Sequence, residues 1–338
     1  LYLFPILIMK RFIKKTLFFI LILALISVSV SIYIDPFNVF HPLDIKDNGV
    51  EPNKNFIKMT YILNNPDKFD TFIFGSSRVG NIHANNLWGE KAYNMTYSEG
   101  LPVEALNNVK TLIDNDILIK AIYLGVDNLS YTIDPASHNS SSNASYELSK
   151  TNPIKFYSYY LDPAMAFKSL TTVIYKHKVD DSYAYRFYEF GWNSDYGATS
   201  NYDFDHAEPS IGKSYRLKET IAEIKELKEL CDANNIKFVV FTNPMYYVTY
   251  EAALDQDYLE FLRELANITE FCNFSGYNDI TTNSAYWIDN SHYNAEVSDM
   301  VLECIAFHAY YGDLYEQGFG YWLNKDNIDD FFTSQSKH

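Results

Sequence analysis

Nineteen consecutive residues without a charge, Thr16 to Ile34 (TLFFILILALISVSVSIYI), constrain this chain more than any other stretch. A helix rises about 1.5 Å per residue, so the run reaches about 28 Å, close to the thickness of a bilayer's hydrocarbon core. Lys10, Arg11, Lys14 and Lys15 precede it with no acid among them. Positive charge on that side holds the N-terminus in the cytoplasm and exports everything after Asp35. The expected organisation is a cytoplasmic N-terminus over 1–15, a transmembrane signal anchor over 16–34, and a body facing the periplasm or cell exterior. Met9 stands directly before the basic cluster, and residues 1–8 are read as lying upstream of the true start. Ser27-Val28-Ser29 offers small residues where a signal peptide could be cleaved, but the apolar run continues past them to Ile34, which favours an anchor.

Charge narrows the partners. Four of the 27 Lys and Arg lie in that cluster, leaving 23 against 43 Asp and Glu in residues 35–338, a net of about −20. A body so acidic repels phosphate backbones, which argues against nucleic acid. Cys231, Cys272 and Cys304 are widely spaced, odd in number and without a CxxC pair. They are expected to be buried as small apolar side chains rather than to form a disulfide frame.

Residues 35–54 are polar and contain proline, and are expected to act as a linker. Beyond them short apolar runs alternate with helical patterns. Asn55–Asn64 is expected as a helix, Asp70–Phe74 as a strand ending at Gly75, and Ala92–Thr96 as a second strand. Val103–Ile113 has helical spacing, and Leu118–Leu124 is a third strand ending at Gly125. Ser214 can cap a helix to about Asn234, and Ile236–Thr242 is a strand closed by Asn243-Pro244. Tyr258–Ile268 and Val297–Ala309 are further helices. Strands apolar on both faces, separated by helices, imply an α/β domain over 55–325 with a parallel central sheet. Such sheets bind ligands at their strand C-termini.

Residues 130–213 break this rhythm. Ser137–Ser145 is a polar low-complexity loop, followed by Tyr157, Tyr159, Tyr160, Tyr183, Tyr185, Tyr188, Trp192 and Tyr196. The segment is expected to be an insertion over the sheet's C-terminal edge, its aromatics packed on its own helices rather than stacked on sugars. Residues 326–338 are expected to be a polar tail.

Three stretches stand at strand ends: Gly75-Ser76-Ser77-Arg78, Gly100, and Asp289-Asn290-Ser291-His292. Glycine lets the chain turn sharply out of a strand, exposing a following serine at the top of the sheet. A serine hydroxyl needs a base to take its proton, and that base is best held by a carboxylate. Asp289 and His292 are three apart, so one turn can aim both side chains to one side. His83, His138, His177 and His206 lack ligand spacing and are expected on the surface or in loops. No metal site is expected. GxSxG, HExxH and P-loop patterns are absent from the sequence.

A strand ending in Gly-Ser-Ser, a glycine after the second strand and a late Asp-x-x-His together resemble the SGNH (GDSL-like) hydrolase superfamily. The Gly-Ser-Ser-Arg form behind a membrane helix is similar to the branch containing the D-alanyl-transfer and alginate O-acetylation proteins. The resemblance implies a flavodoxin-like three-layer α/β/α fold, with Ser77 as nucleophile, His292 as base and Asp289 as its orienting acid. It assigns the Ser77 amide and Gly100 to the oxyanion hole, with Ser76 and Arg78 beside it. Arg78 would more readily form a structural ion pair than bind an anionic substrate group. The family's Gly-x-Asn-Asp block reads Gly125-Val126-Asp127-Asn128 here, in reversed order. An ionised Asp127 would repel an oxyanion, so either Asn128 swings in or a donor is missing.

The function implied is ester hydrolysis or acyl transfer on a cell-envelope glycan or polymer, with neither metal nor organic cofactor. A membrane-bound O-acyltransferase is the partner implied by the same resemblance. The alternative is an inert module of this fold that binds glycan or scaffolds an envelope acylation complex.

Overall fold

The structure, a computed structural model, describes residues 3–84, 87, 91–138, 143–175, 184, 186–188 and 202–335. Tyr183, Tyr185, Trp192, Tyr196, His177 and part of the 137–145 loop lie outside the described residues.

Helix α1 (Leu3–Ile34) contains a 26-residue apolar span, Met9–Ile34, which is almost wholly exposed. At 1.5 Å per residue it measures about 39 Å, long enough to cross a membrane. Residues 35–53 are not a free spacer. Phe37, Val39 and Ile45 are buried, and Asp35 Oδ1 accepts from the Val39 amide at 2.8 Å. Asn53 then caps α2 (Lys54–Asn64) by accepting from Phe56 N.

The body alternates strand and helix: β1 (Thr71–Phe74), β2 (Ala92–Asn94), α3 (Pro102–Asp114) and β3 (Ala121–Val126). The insertion supplies α4 (Tyr146–Thr151), α5 (Pro153–Ser158) and α6 (Pro163–Tyr175). Then follow α7 (Leu217–Ala233), β4 (Lys237–Thr242), α8 (Tyr247–Leu254), α9 (Tyr258–Ile268) and β5 (Phe271–Asn273). The chain closes with α10 (Ala295–Phe307), β6 (Tyr321–Leu323) and α11 (Ile328–Gln335).

The strands form one six-stranded sheet in the order β2-β1-β3-β4-β5-β6, parallel except for β6, which runs antiparallel to β5. The protein is thus α/β with a mostly parallel sheet. Successive strand residues feed two separate cores. Phe72, Phe74, Ile122, Leu124 and Val240 join one, with α2, α3, α7 and α9; Ile73, Tyr123, Val239 and Phe241 join the other, with α10. Period-two alternation places neighbours on opposite faces, so a sheet covered on both sides needs strands that are apolar throughout.

Several expectations change. The third strand begins at Ala121, not Leu118, because pairing with β1 starts at Thr71↔Ala121 and Leu118 is exposed. Ser214 does not cap α7; its amide donates to Thr132 O, and the helix starts three residues later. Residues 326–338 are not simply a polar tail, since α11 buries Ile328 and Phe331 in the core. The insertion divides: α4 packs on α2 and α3 and α6 on α1, while 204–214 returns along the strand ends. Tyr160 and Phe156 pack inward, against Phe37 and Phe56, while Phe167 is exposed.

Candidate active site

β1 ends at Phe74, and Gly75 leaves the strand at φ +150, where a side chain would be strained. Its missing Cβ also matters for space, because one would lie 2.8 Å from Gly125 O and 2.7 Å from Val79 Cγ2. Ser77–Asn81 follows as a short 3₁₀ turn. Ser76 is buried and its Oγ donates to Asp127 Oδ2 at 2.9 Å. Ser77 is half-buried and faces the imidazole, with Oγ 2.8 Å from His292 Nε2. Of the two serines, Ser77 is the one presented to a base.

The imidazole arrives on a tight loop between β5 and α10. Trp287 bridges Tyr293 in antiparallel fashion, and the Ile288 amide donates to His292 O at 2.8 Å. Within the loop, Asp289 Oδ1 accepts from the amides of Ser291 and His292, both at 2.8 Å. This Asx-type turn needs no helix to bring residues 289 and 292 together. His292 Nδ1 lies 2.8 Å from Asp289 Oδ2. An ionised carboxylate can only accept, so Nδ1 carries a proton, and whenever the ring is neutral Nε2 is the atom that accepts from Ser77 Oγ–H. Burial raises the Asp289 pKa, but the His292 hydrogen bond, the imidazole's charge and the two loop amides outweigh it and lower the pKa below the ordinary value. Asn81 Nδ2 donates to Tyr293 O at 3.0 Å, joining the serine turn to this loop.

Arg78 and Asp127 sit beneath the serine as an ion pair at 3.1 Å, both fully buried. Arg78 Nη1 also donates to Asn128 Oδ1 at 2.8 Å, and Nε to Ser291 Oγ at 3.2 Å. Asp127 accepts further from Asn243 Nδ2 at 2.9 Å and from the Leu129 amide at 2.8 Å. Arg78 thus forms a buried ion pair, and it compensates the negative charge expected to repel an oxyanion. Asn128 is buried and held in place, its Oδ1 accepting from Arg78 and one Nδ2–H donating to Ser210 O at 3.0 Å. Gly100 is beside the serine turn, but its amide donates to Tyr97 O at 3.2 Å. Its role here is steric: a Cβ would run into Gly75 O. The Ser77 amide has no acceptor among the described residues.

Sequence reasoning missed Asn94 and Asn243. Asn94 Nδ2 donates to Val79 O and Ile82 O, fixing the serine turn from β2. Both asparagines sit at or just after a strand's last residue, which is the signal that could have found them. His138, expected on the surface, is buried against Glu104, with Nδ1 2.8 Å from Oε1. His83 is half-buried and His206 exposed. Among the described residues no cluster of His, Cys, Asp or Glu is arranged to hold a metal. A cavity of about 590 Å³, bordered by Tyr250, Leu262, Asn273, Tyr277 and Phe331, includes none of the Ser77–His292–Asp289 set. No family model, curated protein or solved structure matches this chain.

Proposed function

We propose that this protein is an extracytoplasmic, membrane-anchored serine enzyme of the SGNH type, an O-acyl esterase or O-acyltransferase acting on a cell-envelope glycan or polymer. The observation that carries the reading is the Ser77 Oγ–His292 Nε2 distance of 2.8 Å, with His292 Nδ1 held 2.8 Å from Asp289. The strand order β2-β1-β3-β4-β5 supports it, being the doubly wound order of flavodoxin-like folds, with the serine at a strand C-terminus.

In the proposed reaction His292 takes the Ser77 proton as Oγ attacks an acyl carbonyl. The tetrahedral oxyanion meets the Ser77 amide, and Asp289 stabilises the imidazolium. His292 then protonates the departing alkoxide, leaving an acyl-enzyme. Water or a polymer hydroxyl, deprotonated by the same imidazole, attacks that ester and frees Ser77. Hydrolysis and transfer differ only in that last acceptor.

Fluorophosphonate labelling tests this. Wild type and Ser76→Ala should label, while Ser77→Ala should not and His292→Gln should lose at least about 10²-fold in rate. Folded wild type that takes no label would end the enzyme reading. One observation favours a non-catalytic glycan-binding or scaffolding module: the amide of Gly100 donates to Tyr97 O instead of facing the serine as an oxyanion donor. That module would bind its glycan with Ser77→Ala unchanged and would not label.

A further inference from the structure

The polar domain bears an apolar surface where α1 leaves its span. Tyr33, in the last turn of α1, is 83% exposed, Leu43 is 50%, Ile154 at the start of α5 is 85%, and Phe167 on α6 is 67%. These positions are far apart in sequence but converge on one region. α6 packs against α1, and Ser169 Oγ donates to Asn48 O at 2.9 Å, while Asn48 Nδ2 donates to Asp35 O at 2.9 Å. Tyr157 stacks on Phe40 at 5.6 Å, tying α5 to the same exit. Lys150, Lys155 and Lys168 are exposed along this segment. Residues 146–175 hold those three lysines against Glu147 and Asp162, in a chain whose net charge is −16. Exposed apolar side chains, aromatic rings at the mouth of a span and flanking lysines are the composition of a segment lying in a bilayer interface.

We propose that α5, α6 and the 40–43 turn rest on the extracytoplasmic leaflet of the bilayer that α1 crosses. Ile154 and Phe167 enter the acyl-chain boundary, and the lysines meet anionic headgroups. A surface continuous with the lipid-facing side of α1 has that bilayer as its nearest apolar phase, and exposed lysines along α5 and α6 can reach lipid phosphates. The domain would then be held in one orientation rather than swinging on a tether. This inference rests on α1 spanning the membrane and is independent of any chemistry at Ser77.

The test uses full-length protein in vesicles of roughly 3:1 phosphatidylcholine to phosphatidylglycerol. Single cysteines at Ile154, Phe167, Leu21 and Tyr310 carry a bimane label, read with nitroxide lipids and with aqueous iodide. Cys231, Cys272 and Cys304 are at most 1% exposed and do not compete for label. Tyr310 follows α10, which packs on the sheet face opposite α2, and serves as the water-facing control. Labels at Ile154 and Phe167 should be quenched by nitroxide lipids at least about twofold more than the label at Tyr310. If they are instead as open to iodide as Tyr310, the surface is wet and the proposal fails. Protection from iodide without lipid quenching would mean that a second copy of the chain covers the patch, which also overturns it. Leu21 reports the anchor separately. A quenched Leu21 label with unquenched Ile154 and Phe167 sinks only the surface, whereas an unquenched Leu21 label sinks the anchor as well.

Discussion

Arg78 and Asp127 are two buried charges whose partners decide what the site tolerates. Removing one charge strands the other in an apolar interior, a loss of about 3–5 kcal/mol. Arg78→Met should therefore lower the urea midpoint severely, and a cost under about 1 kcal/mol would refute this account. Arg78→Met with Asp127→Leu should recover only part of the loss, because Ser76 Oγ and Asn243 Nδ2 donate to the same carboxylate and would be left without it. His138 offers a second, pH-dependent case. Burial pushes its pKa down, but the hydrogen bond to Glu104, the Glu99 carboxylate 3.4 Å from Nε2, and the charges of both raise it to about 9. Glu104 also accepts from Tyr97 Oη at 2.6 Å and from the Leu101 amide at 3.2 Å, so it stays anchored while it faces the imidazole. A pKa raised on folding stabilises fully below the unfolded value near 6.5 and fades as pH climbs through about 9. Urea midpoints should thus fall between about pH 7 and pH 9 in wild type and stay flat in His138→Gln, the effect being about 3 kcal/mol at most. Equal slopes for the two proteins would remove His138 from the explanation.

Between β1 and the serine turn, two backbones meet without side chains between them. Gly100 lies against Gly75 O, and because that atom is main chain it cannot rotate aside. Gly100→Ala should shift the turn that carries Ser77, slowing fluorophosphonate labelling at least about tenfold while costing about 1–3 kcal/mol. Unchanged labelling would mean the turn has slack. At this scale the sequence was most readable where elements are long. Tyr258–Ile268 has the bounds its periodicity implies, since apolar positions spaced along one face are a helix's own signature. β5 and β6 were missed because their pairing depends on partners about fifty positions apart. The Asx turn joining Asp289 to His292 was readable as a short polar loop. Its closeness to Ser77 was not, because that is set by Asn81 bonding to Tyr293 and by the helix that follows. The surroundings of Asn128 were hidden for a related reason: a residue's letter and position do not reveal that Ser210, from the returning insertion, accepts from its amide.

The whole molecule sets its net −16 charge and three thiols in a body expected to face an oxidising compartment. Free thiols persist there only if they cannot react. Cys231, Cys272 and Cys304 are buried, and burial pushes the first and last up to about 12 and Cys272 well above the ordinary range, so the reactive thiolate is scarce. This burial makes the protein silent toward thiol reagents and turns any added surface cysteine into a clean reporter. Tyr310 is 62% exposed, so Tyr310→Cys should accept an impermeant maleimide in intact cells, while the parent protein should not. The charges ahead of the Thr16–Ile34 run underlie that prediction: if Lys10, Arg11, Lys14 and Lys15 resist translocation, one crossing leaves everything after Asp35 outside. Reversing that bias by changing all four to Glu should remove the labelling by inverting or blocking insertion. If Tyr310→Cys reacts only after permeabilisation, the domain faces the cytoplasm, and an envelope polymer could not be its substrate even with the serine and histidine poised as they are.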